Sequence, residues 1–190
     1  GLTRQELAIL ISYAKINFTQ DLMASDIPDT KEMQGWLFDY FPDVLQDKYA
    51  KEIRRHKLAR EIIATTMANS LVNRMGPTFL KNSMNKTGAS PAEIAKAYII
   101  VRDAYNLRNS WDTLESLDNK VPAEVQLKAM KEIAQLSEHA ISWFLTRLGR
   151  DLNIGKDIES FGKGIAELRK NLSKVMTPGL KDLVKQREAA

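Results

Sequence analysis

The 190 residues are 44% hydrophobic and 27% charged and contain no Cys, the balance of a globular chain rather than of a disordered tail. No apolar run approaches the roughly 18 residues of a membrane span, and without Cys there is no disulfide framework, thiolate metal site or Cys nucleophile, a composition that fits the cytoplasm. The formal charge of +4 is unevenly placed: 10 basic and 6 acidic residues lie from Thr146 onward while the first 145 positions balance, unlike the concentrated basic face of a nucleic-acid binder.

The opening Gly1-Leu2-Thr3, with neither Met nor leader, implies a piece of a longer chain. Thr3-x-x-Glu6 is a capping box, in which the hydroxyl and the carboxylate each take a free backbone N–H of a first helical turn. Leu7, Leu10, Ile11, Ala14, Phe18 and Leu22 then recur every three or four residues, the stripe of a core-facing helix that ends before Asp26-Ile27-Pro28-Asp29. Thr30 is placed to cap a short helix reaching Tyr40, which Phe41-Pro42 breaks. From Pro42 the spacing predicts helix as far as Gly76-Pro77, then a short helix from Pro77 to Lys86 closing at Thr87-Gly88.

Ser90-Pro91-Ala92-Glu93 is the clearest start signal, with cap, first-turn Pro and box Glu together, and its helix runs to about Tyr105. A helix around Trp111, Leu114 and Leu117 ends at Asp118-Asn119-Lys120. Pro122 opens the longest helix, with one stripe through Val125, Ala129, Ile133, Leu136, Ala140, Phe144 and Leu148, and a last amphipathic segment spans Ile154 to Val175 before Thr177-Pro178-Gly179. No alternating strand pattern and no repeat occurs. The expected fold is all-α, a bundle of seven to nine helices without a sheet, over residues 1–176 with a sub-boundary near 119–122 and a helical or frayed tail at 177–190.

Catalytic, cofactor-binding and metal residues are expected to be none. His56 and His139 are the only histidines, lie 83 positions apart, and have no Cys to complete a ligand set. The run Lys48 to Lys57 is basic, but Glu52 interrupts it, Asp47 and Glu61 flank it, and no aromatic ladder accompanies it, so it reads as a solvated face. Gly162-Lys163-Gly164 echoes a phosphate loop without a strand before it and with Glu167 at the third glycine position. Asp26 and Asp29 read as turn and cap, and the Asn17, Asn85 and Asn171 acceptor triplets arise readily by chance. Met84 to Tyr105 has the outline of a helix-turn-helix, yet the turns after Ser90 offer one Lys and one Glu where a reading helix presents polar and basic side chains.

Ile62 to Phe79 is unusual in mixing Ala64, Thr65 and Ala68 with Asn69, Asn73 and Arg74 on one helix. Small side chains let helices approach, and amides or a guanidinium bond across the gap. Asn69, Asn73, Arg74 and Thr78 are therefore the candidate interdomain or subunit contacts.

This segment, with Val72-Asn73-Arg74 and Gly76-Pro77-Thr78-Phe79, resembles the C-terminal helical region of the large bacterial NAD-specific glutamate dehydrogenases. Gly1-Leu2-Thr3-Arg4, Tyr13-Ala14-Lys15, Ala24-Ser25-Asp26, Tyr40-Phe41-Pro42 and Leu117-Asp118-Asn119 with Val121-Pro122 are similar to the same family. The likeness covers most of the chain, densest before Gln126 and weakest after Lys174. It implies a parent enzyme that converts L-glutamate, NAD and water to 2-oxoglutarate, ammonia and NADH in amino-acid catabolism, with the catalytic Lys, the Asp and the NAD-binding domain all preceding this region. No catalytic residue carries over, and the implied role is support and subunit contact within a homo-oligomer, with the rest of the parent chain as partner and neither nucleic acid nor membrane. A helix-turn-helix regulator and a stand-alone helical interaction module are the alternatives.

Overall fold

A computed structural model describes residues 1–149 and 151–175, the last four by backbone alone. The proposed tail at 177–190 and the Thr177-Pro178-Gly179 stop lie outside the described residues. Ten α-helices follow in order: α1 (Arg4–Met23), α2 (Gln34–Phe38), α3 (Asp43–Gln46), α4 (Ala50–Arg54), α5 (Ala59–Met75), α6 (Phe79–Thr87), α7 (Pro91–Ala104), α8 (Leu107–Glu115), α9 (Ala123–Trp143) and α10 (Ile154–Val175). Short 3₁₀ turns occupy Ile27–Asp29 and Lys31–Met33, and α9 passes directly into a π-helical turn at Phe144–Leu148. No strand occurs among the described residues, and none of these helices is long and apolar enough to cross a membrane.

Both capping boxes form as their sequences dictate. Thr3 Oγ1 accepts from the Glu6 N–H while Glu6 Oε2 accepts from the Thr3 N–H at 2.7 Å, a bond that also holds the Glu6 carboxyl below its usual range. Ser90 and Glu93 repeat the pattern at α7, with 2.6 Å from the Ser90 N–H to Glu93 Oε2. Gly88 ends α6 in the left-handed conformation, φ 68°, and Gly76 ends α5 at φ 91°. A side chain at either would be strained, which is why the chain stops there.

Three local expectations change. The single helix expected from Pro42 to Met75 is three helices, and at the second break the His56 ring competes with the backbone: its Nδ1 accepts the Leu58 N–H at 3.2 Å between α4 and α5. The all-α bundle without a sheet is as expected among the described residues, with α2, α3 and α4 only four or five residues long. Thr30 does not cap; its hydroxyl donates back to the Ile27 carbonyl at 2.9 Å. The apolar stripe of α9 packs only at its C-terminal end, where Ala140, Ile141 and the following Phe144 are buried, while Val125 and Leu136 face solvent.

The core is organised around α7. Nine of its fourteen residues are buried, Ile94, Ala95 and the unbroken run Ala97 to Arg102 with Ala104, and α1, α6, α8, α9, α10 and the π-turn all touch it. Six consecutive buried residues span the full circumference of the helix, so cover is needed around it, while Glu93, Lys96 and Asp103 form its one polar edge. Small Ala95, Ala97 and Ala104 let neighbours close in; on α10, Gly162 lies so near that an added Cβ would stand 3.9 Å from the Ala104 Cα. A second layer pairs α1 with α5 through Phe18 and Leu22 on one side and Ile63, Ala64, Met67, Ala68, Leu71 and Val72 in α5.

Polar clasps tie the ends of these helices together. Arg60, at the start of α5, donates to the Met23 and Ser25 carbonyls at 3.0 and 3.3 Å and pairs with Asp29, closing the C-terminal end of α1. Arg108 of α8 pairs with Asp39 after α2, and Arg169 of α10 reaches the Tyr105 carbonyl at 2.7 Å. Each guanidinium satisfies a carbonyl or carboxylate that a helix end leaves open.

Tyr98, fully buried on α7, shares a hydrogen bond of 2.8 Å with Ser70 Oγ on α5. Burial pushes its phenol up from the ordinary value near 10, against the Ser70 bond and the Arg102 and Arg74 charges, which pull it down. A raised phenol favours the neutral folded form, so its contribution is complete below about pH 10 and is lost as pH rises through the folded value. In Tyr98→Phe, unfolding in urea at neutral pH should show a loss of about 1 kcal/mol, and the alkaline fall in stability above about pH 10 should become shallower. An alkaline profile identical to that of the parent sequence would contradict this.

Candidate functional site

The segment singled out by its composition divides when folded. Ala64 and Ala68 are completely buried on the α5 core face, whereas Thr65 faces solvent. Asn69 is half-buried, Asn73 and Thr78 are exposed, and neither amide forms a side-chain hydrogen bond among the described residues. Arg74 is engaged within the chain: Nη2 meets Glu115 Oε1 at 2.7 Å and the guanidinium lies 4.7 Å from the centre of the Trp111 ring. It joins the end of α5 to α8. Asn73 and Thr78 therefore remain outward at the α5–α6 corner, beside a groove lined by Leu10, Tyr13, Val72, Pro77, Leu80 and Met84 with a volume of about 260 Å³.

Two features were not visible in the spacing. Arg102 is a buried cation on α7 that stacks 3.9 Å from the centre of the Trp36 ring and donates to Asp103 Oδ1 at 2.6 Å. The signal for it was a lone Arg interrupting an otherwise apolar run, which reads equally as the exposed end of a helix. Trp36 Nε1 is buried without a protein hydrogen-bond partner; the π-face of the ring serves Arg102, and its edge is left unsatisfied. The second feature is an apolar recess of about 260 Å³ under the π-turn, lined by Tyr105, Ala140, Trp143, Phe144, Phe161 and Ile165. Trp143, Phe144 and Phe161 meet edge to face at 5.0 to 5.9 Å, a geometry favoured by the ring quadrupoles.

Neither feature can perform bond chemistry. No group of three or more His, Cys, Asp or Glu side chains converges on a metal-sized space among the described residues. The basic run is folded onto its own surroundings, with Arg54 5.1 Å from the Phe38 ring centre, Lys48 5.2 Å from that of Tyr49, and His56 edge-on to Phe41 at 5.7 Å. The helix-turn-helix outline fails for a steric reason. Helix α7, which would have to enter a groove, is the most enclosed helix of the structure.

These observations define a class first: an all-helical domain built around one buried helix, with no group of three or more possible metal ligands among its described residues. The model of the family described as glutamate dehydrogenase, C-terminal, matches residues 1–190, and the chain belongs to that family. It is 40% identical over 183 residues to the NAD-specific glutamate dehydrogenase of Pseudomonas aeruginosa, 40% identical over 174 residues to that of Halomonas elongata, and 25% identical over 189 residues to that of Mycobacterium tuberculosis. Those alignments cover 96%, 92% and 100% of this chain but only 11%, 11% and 12% of the relatives. The chain thus spans about 11% of the length of the relatives it matches.

The residues present do not fit the NAD those names imply. A dinucleotide pyrophosphate needs a glycine-rich turn between strand and helix with free N–H groups. Here Gly162-Lys163-Gly164 lies inside α10, and the N-termini of α1 and α7 are already closed by the Glu6 and Glu93 carboxylates. The aromatic recess has no charged side chain in its lining.

The Arg74 junction is testable by double-mutant cycles. The coupling of Arg74 to Glu115 should be about 0.2–1 kcal/mol and that to Trp111 about 0.5–1 kcal/mol. Raising salt to about 0.5 M should diminish the first and spare the second, because only the exposed ion pair is screened. Equal salt sensitivity would show that the ring contact adds nothing.

Proposed function

We propose that this chain is the C-terminal helical domain of an NAD-dependent glutamate dehydrogenase, and that its contribution is to support the enzyme and make domain and subunit contacts. The observation that carries the reading is that the C-terminal glutamate dehydrogenase family model matches residues 1–190 of a chain that spans about 11% of its relatives. In this reading the parent is a cytoplasmic homo-oligomer that oxidises L-glutamate with NAD to 2-oxoglutarate, ammonia and NADH. The Lys and Asp that activate water and move protons, and the surface that holds NAD, belong to the preceding polypeptide. The residues proposed for contact are Asn69, Asn73 and Thr78, with Arg74 fixing the corner on which they stand through Glu115 and Trp111.

The proposed division of labour separates two measurements. Deleting residues 1–190 from the full-length enzyme should lower its thermal midpoint by several degrees and shift it toward smaller assemblies. The complementary piece, residues 1–190 alone, should neither quench NADH fluorescence nor turn over glutamate. An unchanged midpoint and assembly on deletion, or turnover by the isolated piece, would overturn the reading.

A further inference from the structure

Helix α1 carries two apolar stripes rather than one. At about 100° per residue, Leu7, Ile11, Ala14, Phe18 and Leu22 fall along one side, and Phe18 and Leu22 seal that side against α5. Ile9, Tyr13 and Ile16 cluster within about 60° of each other on the opposite side. They are 57%, 61% and 51% exposed, and Leu2, just before the helix on the same line, is 64% exposed. The side chains bordering this outer stripe are Gln5, Ser12, Asn17 and Glu6, of which only Glu6 is charged, and it is bonded into the Thr3 cap. Arg4 and Lys15 fall toward the other side. A solvated helix face carries charge, whereas an apolar strip with an uncharged polar border is the composition of an interface core and rim.

The exposure is graded along the helix. Every residue from Gly1 to Leu10 is exposed, Ile11 and Ala14 are half-buried, and full burial begins at Phe18. The first turns of α1 therefore stand clear of the body, apolar on both sides. Short helices are not self-supporting in water, and most helical stability comes from packing of an apolar face. The chain belongs to a C-terminal family and spans about 11% of its relatives, so on the proposed reading most of the enzyme precedes this domain and leads into it on the α1 side, near the stripe. A tethered surface so close acts at an effective concentration of about millimolar, which favours it over a free partner.

We infer that the outer face of α1, through Leu2, Ile9, Tyr13 and Ile16, is the surface on which the preceding polypeptide of the same enzyme seats this domain. The inference rests on the proposed C-terminal placement but not on the support role. This face meets the groove beside the Asn73 and Thr78 corner at Tyr13, whereas Leu2, Ile9 and Ile16 lie outside that groove's lining.

The test uses the full-length enzyme with p-benzoylphenylalanine replacing Ile9, an exposed position whose change leaves the core intact, and in a second variant Ile16. After irradiation, cross-linked peptides are mapped by mass spectrometry. The expected result is adducts joining Ile9 and Ile16 positions to polypeptide preceding Gly1. Adducts that map within residues 1–190, which mark a second copy of the domain or the domain itself, would overturn the inference, and so would the absence of any adduct at both positions. Adducts to the preceding chain in an enzyme that tolerates deletion of residues 1–190 would uphold the seating and remove the support role; no adducts in an enzyme destabilised by that deletion would do the reverse.

Discussion

The rest of this structure depends on the enclosure of α7. Burying Ala97 through Arg102 without a break requires apolar cover on all sides of one helix, and five other helices and the π-turn are arranged to give it. Each fully buried aliphatic side chain there contributes about 1.5–3 kcal/mol, against a backbone cost of about 1–2 kcal/mol for each residue fixed. The small residues decide how tightly the cover closes. Ala95, Ala97 and Ala104 admit the neighbouring backbones, and α10 passes Ala104 at Gly162, where a Cβ would still make only an ordinary contact.

The same enclosure explains where function can reside. A helix with nine of its fourteen residues buried has no broad free face to lay in a nucleic-acid groove, so it is committed to cohesion. What remains for recognition is the periphery, including the outer stripe of α1, the Asn73 and Thr78 corner, and the first half of α9, whose Val125 and Leu127 are exposed. On the proposed reading, this domain serves a larger enzyme through its surfaces. Membership of the glutamate dehydrogenase C-terminal family and the small fraction of each relative that it spans agree with that arrangement.

Much of the helix order was legible because helix ends are local chemistry. Thr3 with Glu6, Ser90 with Glu93, Gly76 and Gly88 each act within a few residues of their own position, and α1, α5, α6 and α7 begin or end where those signals stand. The break at His56 was not legible, since it depends on a ring nitrogen choosing the Leu58 N–H over solvent. Nor was the half-packing of α9, because an apolar stripe shows which face seeks cover but not how much cover exists. Arg60 closing α1 from 35 and 37 positions away and Arg102 stacking on Trp36 are likewise products of tertiary placement. Within the segment Ile62 to Phe79, Ala64 and Ala68 are buried as their size dictates and Thr65 faces solvent, while Arg74 found its partners on α8, an element that spacing within α5 cannot reveal.

Native-state hydrogen exchange on the full-length enzyme tests the central role of α7 most directly, because it ranks helices by the free energy needed to open them. The amides of Ile99, Ile100 and Val101 should be the slowest of this domain and exchange only with its global unfolding, while those of the first half of α9 exchange through local opening. Exchange from α7 as fast as from the first half of α9 would contradict the account.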